Sequence, residues 1–176
     1  LLLTKPLGTG LLTTALKGEV LSEIELEAAI EGMVALNKDA SEVMMDVGVC
    51  ASTDITGFGL VGHAAEMAEA SQVAFRLFLS RLPHYPHAIE MAEIGLVPVG
   101  SHRNQKFYLP RCRQPRPVDP LLIDLLCDPQ TSGGLLLALP AEKLDGCLER
   151  LKQRGVMARH IGEVIDQRAG SLELEA

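Results

Sequence analysis

The residues best suited to chemistry lie between Cys50 and His63, in the run CASTDITGFGLVGH. One carboxylate, Asp54, stands between Thr53 and Thr56, and Gly57 precedes a stretch whose apolar residues repeat at helical spacing. This order predicts a strand end, a glycine turn and a helix N-terminus, where backbone N–H groups and the helix dipole favour phosphate. A carboxylate beside phosphate suits Mg²⁺, which binds one or two carboxylates together with substrate oxygens. The run is therefore a candidate metal and phosphate site.

A second polar run lies between Cys127 and Leu136 and reads CDPQTSGGLL. Asp128–Pro129 predicts a turn, Thr131 and Ser132 offer hydroxyls, and Gly133–Gly134 allow another segment of backbone to come close. Two interpretations remain open. The run is either a packing turn between a strand and a helix or part of the lining of the site.

Two other features, the turn from Lys5 to Gly10 and the histidine His63, are better explained by a structural role than by a role in the site. The turn from Lys5 to Gly10 has a lysine and two glycines that could cradle phosphate, but it lacks the GK[ST] ending of a P-loop. A tight strand-to-helix turn is the preferred interpretation. His63 falls in the first turn of a predicted helix, and we expect it to be packed or hydrogen-bonded rather than a metal ligand.

A basic cluster, formed by Arg111, Arg113 and Arg116 among three prolines, stands out in an acidic chain. It could attract an anion. The prolines favour an exposed loop instead, because loops rich in proline run over protein surfaces.

Composition excludes several functional classes. The 176 residues carry a net charge of −7, which argues against nucleic-acid binding because that needs a basic face. Apolar residues make up 47%, yet no apolar run reaches the length of a membrane span. The cysteines form no CxxC pair, which suggests reduced thiols and a cytoplasmic protein; they are Cys50, Cys112, Cys127 and Cys147.

Hydrophobic periodicity and turn signals predict an α+β fold. The predicted helices cover 10–16, 23–37, 39–47, 60–70, 88–94, 121–126 and 141–153. The predicted strands cover 1–3, 73–80, 105–109, 135–139, 156–164 and 171–174, with the last at a sheet edge and a bulge at Gly162. A polar turn is expected over 98–104. We expect an α/β sandwich in which a mixed β-sheet packs with helices, with a ferredoxin-like element formed by the C-terminal strands.

With these motifs placed, the sequence resembles the C-terminal domain of the selenophosphate synthetase (selenide, water dikinase) family, within the superfamily that has aminoimidazole-ribotide-synthetase (AIR synthetase) architecture. Four stretches carry the resemblance and occur in the family's order: LTKPLGTG at 3–10, TDITGFGLVGH at 53–63, GSHRN at 100–104 and LLCDPQTSGGLL at 125–136. The combination of TDITGFG and DPQTSGG is highly specific.

The resemblance implies the Mg²⁺-dependent reaction ATP + selenide + water → selenophosphate + AMP + phosphate. It implies Asp54 as a metal ligand and a phosphate-site wall that includes Thr53, Thr56 and Gly57. The family's nucleophilic Cys or selenocysteine and its essential lysine lie in an N-terminal domain, so no catalytic residue is expected in this chain. The implied partners are that domain, ATP, selenide and a second copy of the full-length chain.

We expect residues 1–176 to form a single domain that resembles the family's C-terminal domain. The chain begins at Leu1 without Met, so we expect that an N-terminal part is absent. The 176 residues alone should then be inactive. Two alternatives are another ATP-using enzyme of the superfamily, such as a thiamine-phosphate kinase or a hydrogenase-maturation ATPase, and a non-catalytic interaction or dimerisation module.

Overall fold

The computed structural model describes residues 1–176, in which eight helices and eight strands alternate irregularly. The helices are α1 Thr9–Lys17, α2 Glu27–Val34, α3 Lys38–Val47, α4 Gly59–Ala70, α5 Ala88–Glu93, α6 Val99–Tyr108, α7 Pro120–Cys127 and α8 Leu144–Gln153. The strands are β1 Leu2–Leu3, β2 Ala51–Asp54, β3 Ala74–Phe78, β4 Cys112–Arg113, β5 Leu135–Ala138, β6 Arg159–His160, β7 Gly162–Ile165 and β8 Leu172–Glu175. None of these helices combines the length and the apolarity needed to cross a membrane.

The first sheet has the strand order β2-β5-β1-β6 and all its pairs are antiparallel. Side chains alternate between the two faces of a strand. Leu136 and Ala138 of β5 therefore enter the main core, while Leu135 and Leu137 join a smaller apolar cluster under α3 and α8. Because both of its faces are covered, β5 requires the uninterrupted apolar run that its sequence shows, and its prediction is confirmed.

The second sheet has the order β4-β8-β3-β7, with β3 parallel to β8 and antiparallel to β7. The prediction that the last strand lies at an edge is wrong, because β8 lies between β3 and β4. The predicted strand over 156–164 divides into β6 and β7, which belong to different sheets. Gly162 is the first residue of β7 and pairs with Leu77 rather than forming a bulge. A side chain at this position would collide with the backbone of Arg76.

The predicted α+β class, with helices packed against sheet, is confirmed. The structure has two four-stranded sheets where one mixed sheet was expected. The strands assigned to a ferredoxin-like element divide between them, since β5 and β6 lie in the first sheet and β7 and β8 in the second.

The prediction of a polar turn followed by a strand over 105–109 is wrong. Val99–Tyr108 is a continuous helix, α6, which follows Pro98. The buried side of α6 consists of Ser101, Asn104 and Tyr108, which recur at helical spacing but are polar. The sequence therefore shows no apolar residues repeating at helical spacing here, because the buried side of this helix is made of polar side chains.

Candidate functional site

Asp54 is the last residue of β2 and pairs with Leu135 at the start of β5. The next residue, Ile55, is fully buried and donates its N–H to the carbonyl of Gly134 at 2.9 Å. The chain is thus fixed immediately after Asp54, while the Asp54 carboxylate is exposed and takes part in no hydrogen bond or ion pair within the chain. A rigid backbone presents a free carboxylate here.

The two glycines of the turn have different roles. Gly59 has a φ of +65°, and a Cβ there would lie 2.8 Å from the carbonyl carbon of Cys127. Gly59 therefore meets both a conformational and a packing requirement. Gly57 has no positive φ, is exposed, and a Cβ there would meet nothing within 4 Å. What Gly57 contributes is bare backbone beside Asp54 and the uncapped N-terminus of α4.

His63 lies under this turn and is hydrogen-bonded through Nε2 to Thr56 Oγ1 at 3.0 Å. Its ring packs against Phe58 with the ring centroids 5.5 Å apart. Burial lowers the pKa of His63, and the nearby carboxylates of Glu66 and Asp54 oppose that shift. This geometry agrees with the prediction of a packed or hydrogen-bonded histidine. The hydrogen bond also orients the Thr56 hydroxyl.

The DPQTSGG run packs onto the N-terminus of α1. Gln130 Oε1 accepts hydrogen bonds from the N–H of Gly8 at 3.2 Å and from the N–H and hydroxyl of Thr9 at 3.3 and 3.2 Å. Asp128 Oδ2 accepts from the N–H of Gly10 at 2.9 Å and from Gln130 Nε2 at 2.8 Å. Both Asp128 and Gln130 are buried. Of the two interpretations of this run, the packing turn accounts for these contacts.

The same run also supports the site. The N–H of Gln130 donates to the carbonyl of Thr56 at 3.0 Å, and a side chain at Gly133 would collide with the carbonyl of Ile55. The run thus holds the backbone on either side of the turn.

Lys5 is buried, and its Nζ donates to the carbonyls of Gly32, Ala35 and Ser132 at 2.9, 2.7 and 2.8 Å. These three acceptors use the three donors of the ammonium group. The alternative of a phosphate cradle at this lysine is therefore excluded, and the preferred tight turn is confirmed. Burial lowers the pKa of Lys5.

Asn104 of α6 joins the two glycine-containing runs. Its Nδ2 donates to the carbonyl of Gly57 at 3.0 Å and to the carbonyl of Cys127 at 2.9 Å. Sequence reasoning missed this role because α6 was not predicted. The signal available was the spacing of polar residues in GSHRN. The stretches at 53–63, 100–104 and 125–136 therefore meet around one turn, and the stretch at 3–10 packs against the last of them.

Known proteins resemble this chain over nearly its whole length. Residues 1–175 match the family described as AIR synthase related protein, C-terminal domain. The chain belongs to this family. It is 44% identical over 168 residues to the selenide, water dikinase of Pelobacter propionicus, covering 95% of this chain and 48% of that protein. It is 47% identical over 154 residues to the selenide, water dikinase of Caldanaerobacter subterraneus, covering 88% of this chain and 44% of that protein. The chain thus spans about half the length of the curated relatives that it matches.

Solved structures share the fold of this AIR synthase related domain at low sequence identity. The hydrogenase maturation protein HypE of E. coli aligns with a TM-score of 0.68 at 20% identity, covering 98% of this chain and 44% of that one. Thiamine monophosphate kinase of Aquifex aeolicus aligns with a TM-score of 0.59 at 17% identity, covering 98% of this chain and 48% of that one. These likenesses confirm the family fold.

The residues of this AIR synthase related domain could supply some, but not all, of the ligands of a Mg²⁺ ion. No group of three or more His, Cys, Asp or Glu side chains that could hold a metal ion lies in the chain. One free carboxylate beside bare glycine backbone suits a hard cation whose remaining ligands come from elsewhere, because Mg²⁺ requires six oxygen ligands. Asp54 is thus one candidate ligand, and the chain offers no full ligand set.

The arginine cluster does not form a single anion site. Arg113 pairs with Glu173 at 3.4 Å, and Arg111 stacks over Phe107 at 5.1 Å from the ring centroid. Arg116 lies further along the exposed proline-rich segment. The three guanidinium groups thus serve separate contacts, which agrees with the preferred prediction of an exposed loop.

Proposed function

We propose that this chain is the C-terminal domain, residues 1–176, of a selenophosphate synthetase that converts ATP, selenide and water to selenophosphate, AMP and phosphate. The observation that carries the proposal is the free carboxylate of Asp54 on a turn fixed from three sides. The identity to selenide, water dikinases over nearly the whole chain supports the reaction class.

In this proposal Asp54 supplies one carboxylate ligand to Mg²⁺. When bound, Mg²⁺ neutralises charge on the ATP phosphates and helps to align them for transfer. The turn at Thr53, Thr56 and Gly57 forms one wall of the phosphate site, where Gly57 leaves room for a phosphate to approach the backbone. His63 holds the hydroxyl of Thr56 in one orientation.

The proposal assigns the remaining catalytic groups to another domain of the same protein. That N-terminal domain contributes the nucleophile, the essential lysine and the further carboxylates that complete the metal site. The full-length protein is proposed to act as a homodimer in the cytoplasm. The lack of a three-residue metal cluster in this chain supports such a division.

The test uses the full-length protein, with Asp54→Ala as the variant and Asp166→Asn as a control in an exposed turn. Each protein is incubated with Mg-ATP and selenide, and products are followed by phosphorus NMR. We expect selenophosphate and AMP from the parent and the control, and neither product from Asp54→Ala.

Other outcomes discriminate between the alternatives. Consumption of ATP that does not depend on selenide would indicate another ATP-using enzyme of the superfamily. No consumption of ATP by the parent would favour a non-catalytic module. Full activity of Asp54→Ala would overturn the metal role while leaving the reaction class intact.

A further inference from the structure

A basic cleft lies where the two sheets meet. It has a volume of about 690 Å³ and is lined by residues 80–84, which follow β3, by residues 158–160 of the β6 edge, and by Leu148 of α8. Four of the nine lining side chains are cationic or imidazole groups and none is acidic. They are Arg81, His84, Arg159 and His160.

These basic groups lack acidic partners in a chain whose net charge is −7. Carboxylates pair with Arg76, Arg113 and Arg154 but with neither arginine of the cleft. Glu163 is the carboxylate that acts on His160, and Arg76 holds it in an ion pair at 2.6 Å. The positive charge of the cleft is therefore not neutralised from within the chain.

Packing orients the cleft side chains in advance. The Arg81 guanidinium lies over the Phe78 ring, 4.5 Å from its centroid, and the edge of the His160 ring meets the same phenyl group at 5.8 Å. His84 Nδ1 is hydrogen-bonded to the carbonyl of Leu82 at 3.2 Å, which leaves Nε2 as the unpaired nitrogen. Side chains held in this way lose less conformational freedom when they bind a ligand.

The cleft lies at the opposite edge of the first sheet from Asp54. β6 and β2 are the two edge strands, with β1 and β5 between them, so three strand spacings place the two edges about 14 Å apart. A ligand in the cleft therefore does not contact the Asp54 turn directly.

We propose that this cleft binds a small phosphorylated ligand, with its phosphoryl oxygens between the guanidinium groups of Arg81 and Arg159. Guanidinium groups suit phosphate because their planar N–H donors match two of its oxygens at once. The rings of His84 and His160 line the wall beside this position. The volume falls within the range of small-molecule sites. This proposal rests on the cleft alone and is independent of the reaction proposed for the Asp54 site.

Calorimetric titration of the full-length protein tests the proposal. Pyrophosphate and AMP are the two probes, because they separate recognition of the phosphoryl group from recognition of a nucleoside. EDTA is present so that metal-dependent binding at Asp54 does not contribute. The variants are Arg81→Gln and Arg159→Gln, and the control is Arg116→Gln, which removes the same charge from an exposed loop.

We expect saturable binding of at least one probe at a site that Asp54→Asn leaves intact. Loss of a charge-assisted hydrogen bond should weaken binding at least about tenfold in each cleft variant and leave Arg116→Gln unchanged. Burial lowers the pKa of His160, and the positive charge of Arg81 adds to this effect, so a bound anion should raise this pKa in a histidine NMR titration. Arg159 is exposed and unpaired, so we expect Arg159→Gln to leave the fold intact. This variant therefore tests the binding role even if Arg81→Gln disturbs packing.

Three results would overturn the proposal. They are no binding of either probe, binding that Arg159→Gln leaves unchanged, and binding that Asp54→Asn abolishes. Binding of RNA without binding of either small probe would also overturn it, since the cleft would then recognise a polyanion. Failure of selenophosphate synthesis in the enzyme assay would leave these binding results unaffected.

Discussion

Asn104 Nδ2 lies 3.0 Å from the carbonyl oxygen of Gly57 and donates a hydrogen bond to it. The same nitrogen donates to the carbonyl of Cys127, so one buried amide fixes the glycine turn against the start of the DPQTSGG run. Asn104 is 6% exposed, and water cannot readily replace it. The position of the Asp54 turn therefore depends on a side chain from a separate helix.

Asn104→Ala should destabilise the fold by about 2 kcal/mol, because two carbonyls lose their partner in a mostly buried place. Lys106→Ala, at an exposed position of the same helix, is the control and should change stability little. Urea denaturation of both variants measures the difference. Equal stability of the two variants would contradict the role assigned to Asn104.

Substitutions at the two turn glycines should separate function from folding. Gly57→Ala should alter stability by less than about 0.5 kcal/mol but raise the KM for ATP, because the new methyl group lies where a phosphate would approach. Gly59→Ala should cost about 1–3 kcal/mol, because its backbone is left-handed and its Cβ meets Cys127. Thermal unfolding and steady-state kinetics check the pair. A large loss of stability in Gly57→Ala would show that its space is needed for packing.

Asp128 should make stability depend on pH. Burial raises the pKa of Asp128 from 3.8 to about 7, against the hydrogen bonds from Gln130 and Gly10. Between these two pH values the folded state holds a proton that the unfolded state has released. The contribution of Asp128 to the free energy of unfolding is therefore fully present below pH 3.8. It falls as the pH rises towards 7, by at most about 1.4 kcal/mol per pH unit.

Asp128→Asn should remove that slope, since the amide does not titrate. The Ser101 hydroxyl lies beside the carboxylate and has no other partner, so it can accept from the introduced amide nitrogen. The measurement is the difference in unfolding free energy between parent and variant from pH 4 to 7. A difference that stays constant across this window would contradict the raised pKa of Asp128.

The 176-residue chain by itself should produce no AMP from ATP and selenide. A single carboxylate holds Mg²⁺ weakly, because this ion loses its water reluctantly and needs several ligands. Chromatographic detection of AMP after prolonged incubation of the purified chain is the measurement, with the full-length protein as the positive control. AMP formation by the chain alone would mean that its own residues complete the site.

Local pattern was sufficient to predict many elements of the fold. Five consecutive apolar residues, 135–139, predicted β5. The helix predicted over 121–126 is α7, and the Asp119 carboxylate caps it by accepting from the N–H of Leu121 at 2.9 Å. The Asp54 turn was predicted because a strand end, glycines and a helix follow one another along the chain. In each case the determining contacts lie within a few residues.

The supporting contacts of the site were not predictable in the same way. Gln130 and Gly8 are 122 residues apart in sequence, and Lys5 and Ser132 are 127 apart, so no local period connects them. The helix that carries Asn104 was missed because its buried side is polar. The order of the strands also could not be predicted from local sequence patterns. β1 and β2 do not pair with each other, and both pair with β5.

The central place of β5 sets an order of events during synthesis. A nascent chain that has emerged from the ribosome only as far as α6 contains Asp54 in a strand without its partner, because that partner is Leu135–Ala138. Pairing of such distant segments is slow, and unpaired strand edges are prone to aggregation. The Asp54 turn therefore cannot gain its native pairing until β5 has emerged, about eighty residues after Asp54 itself has been translated.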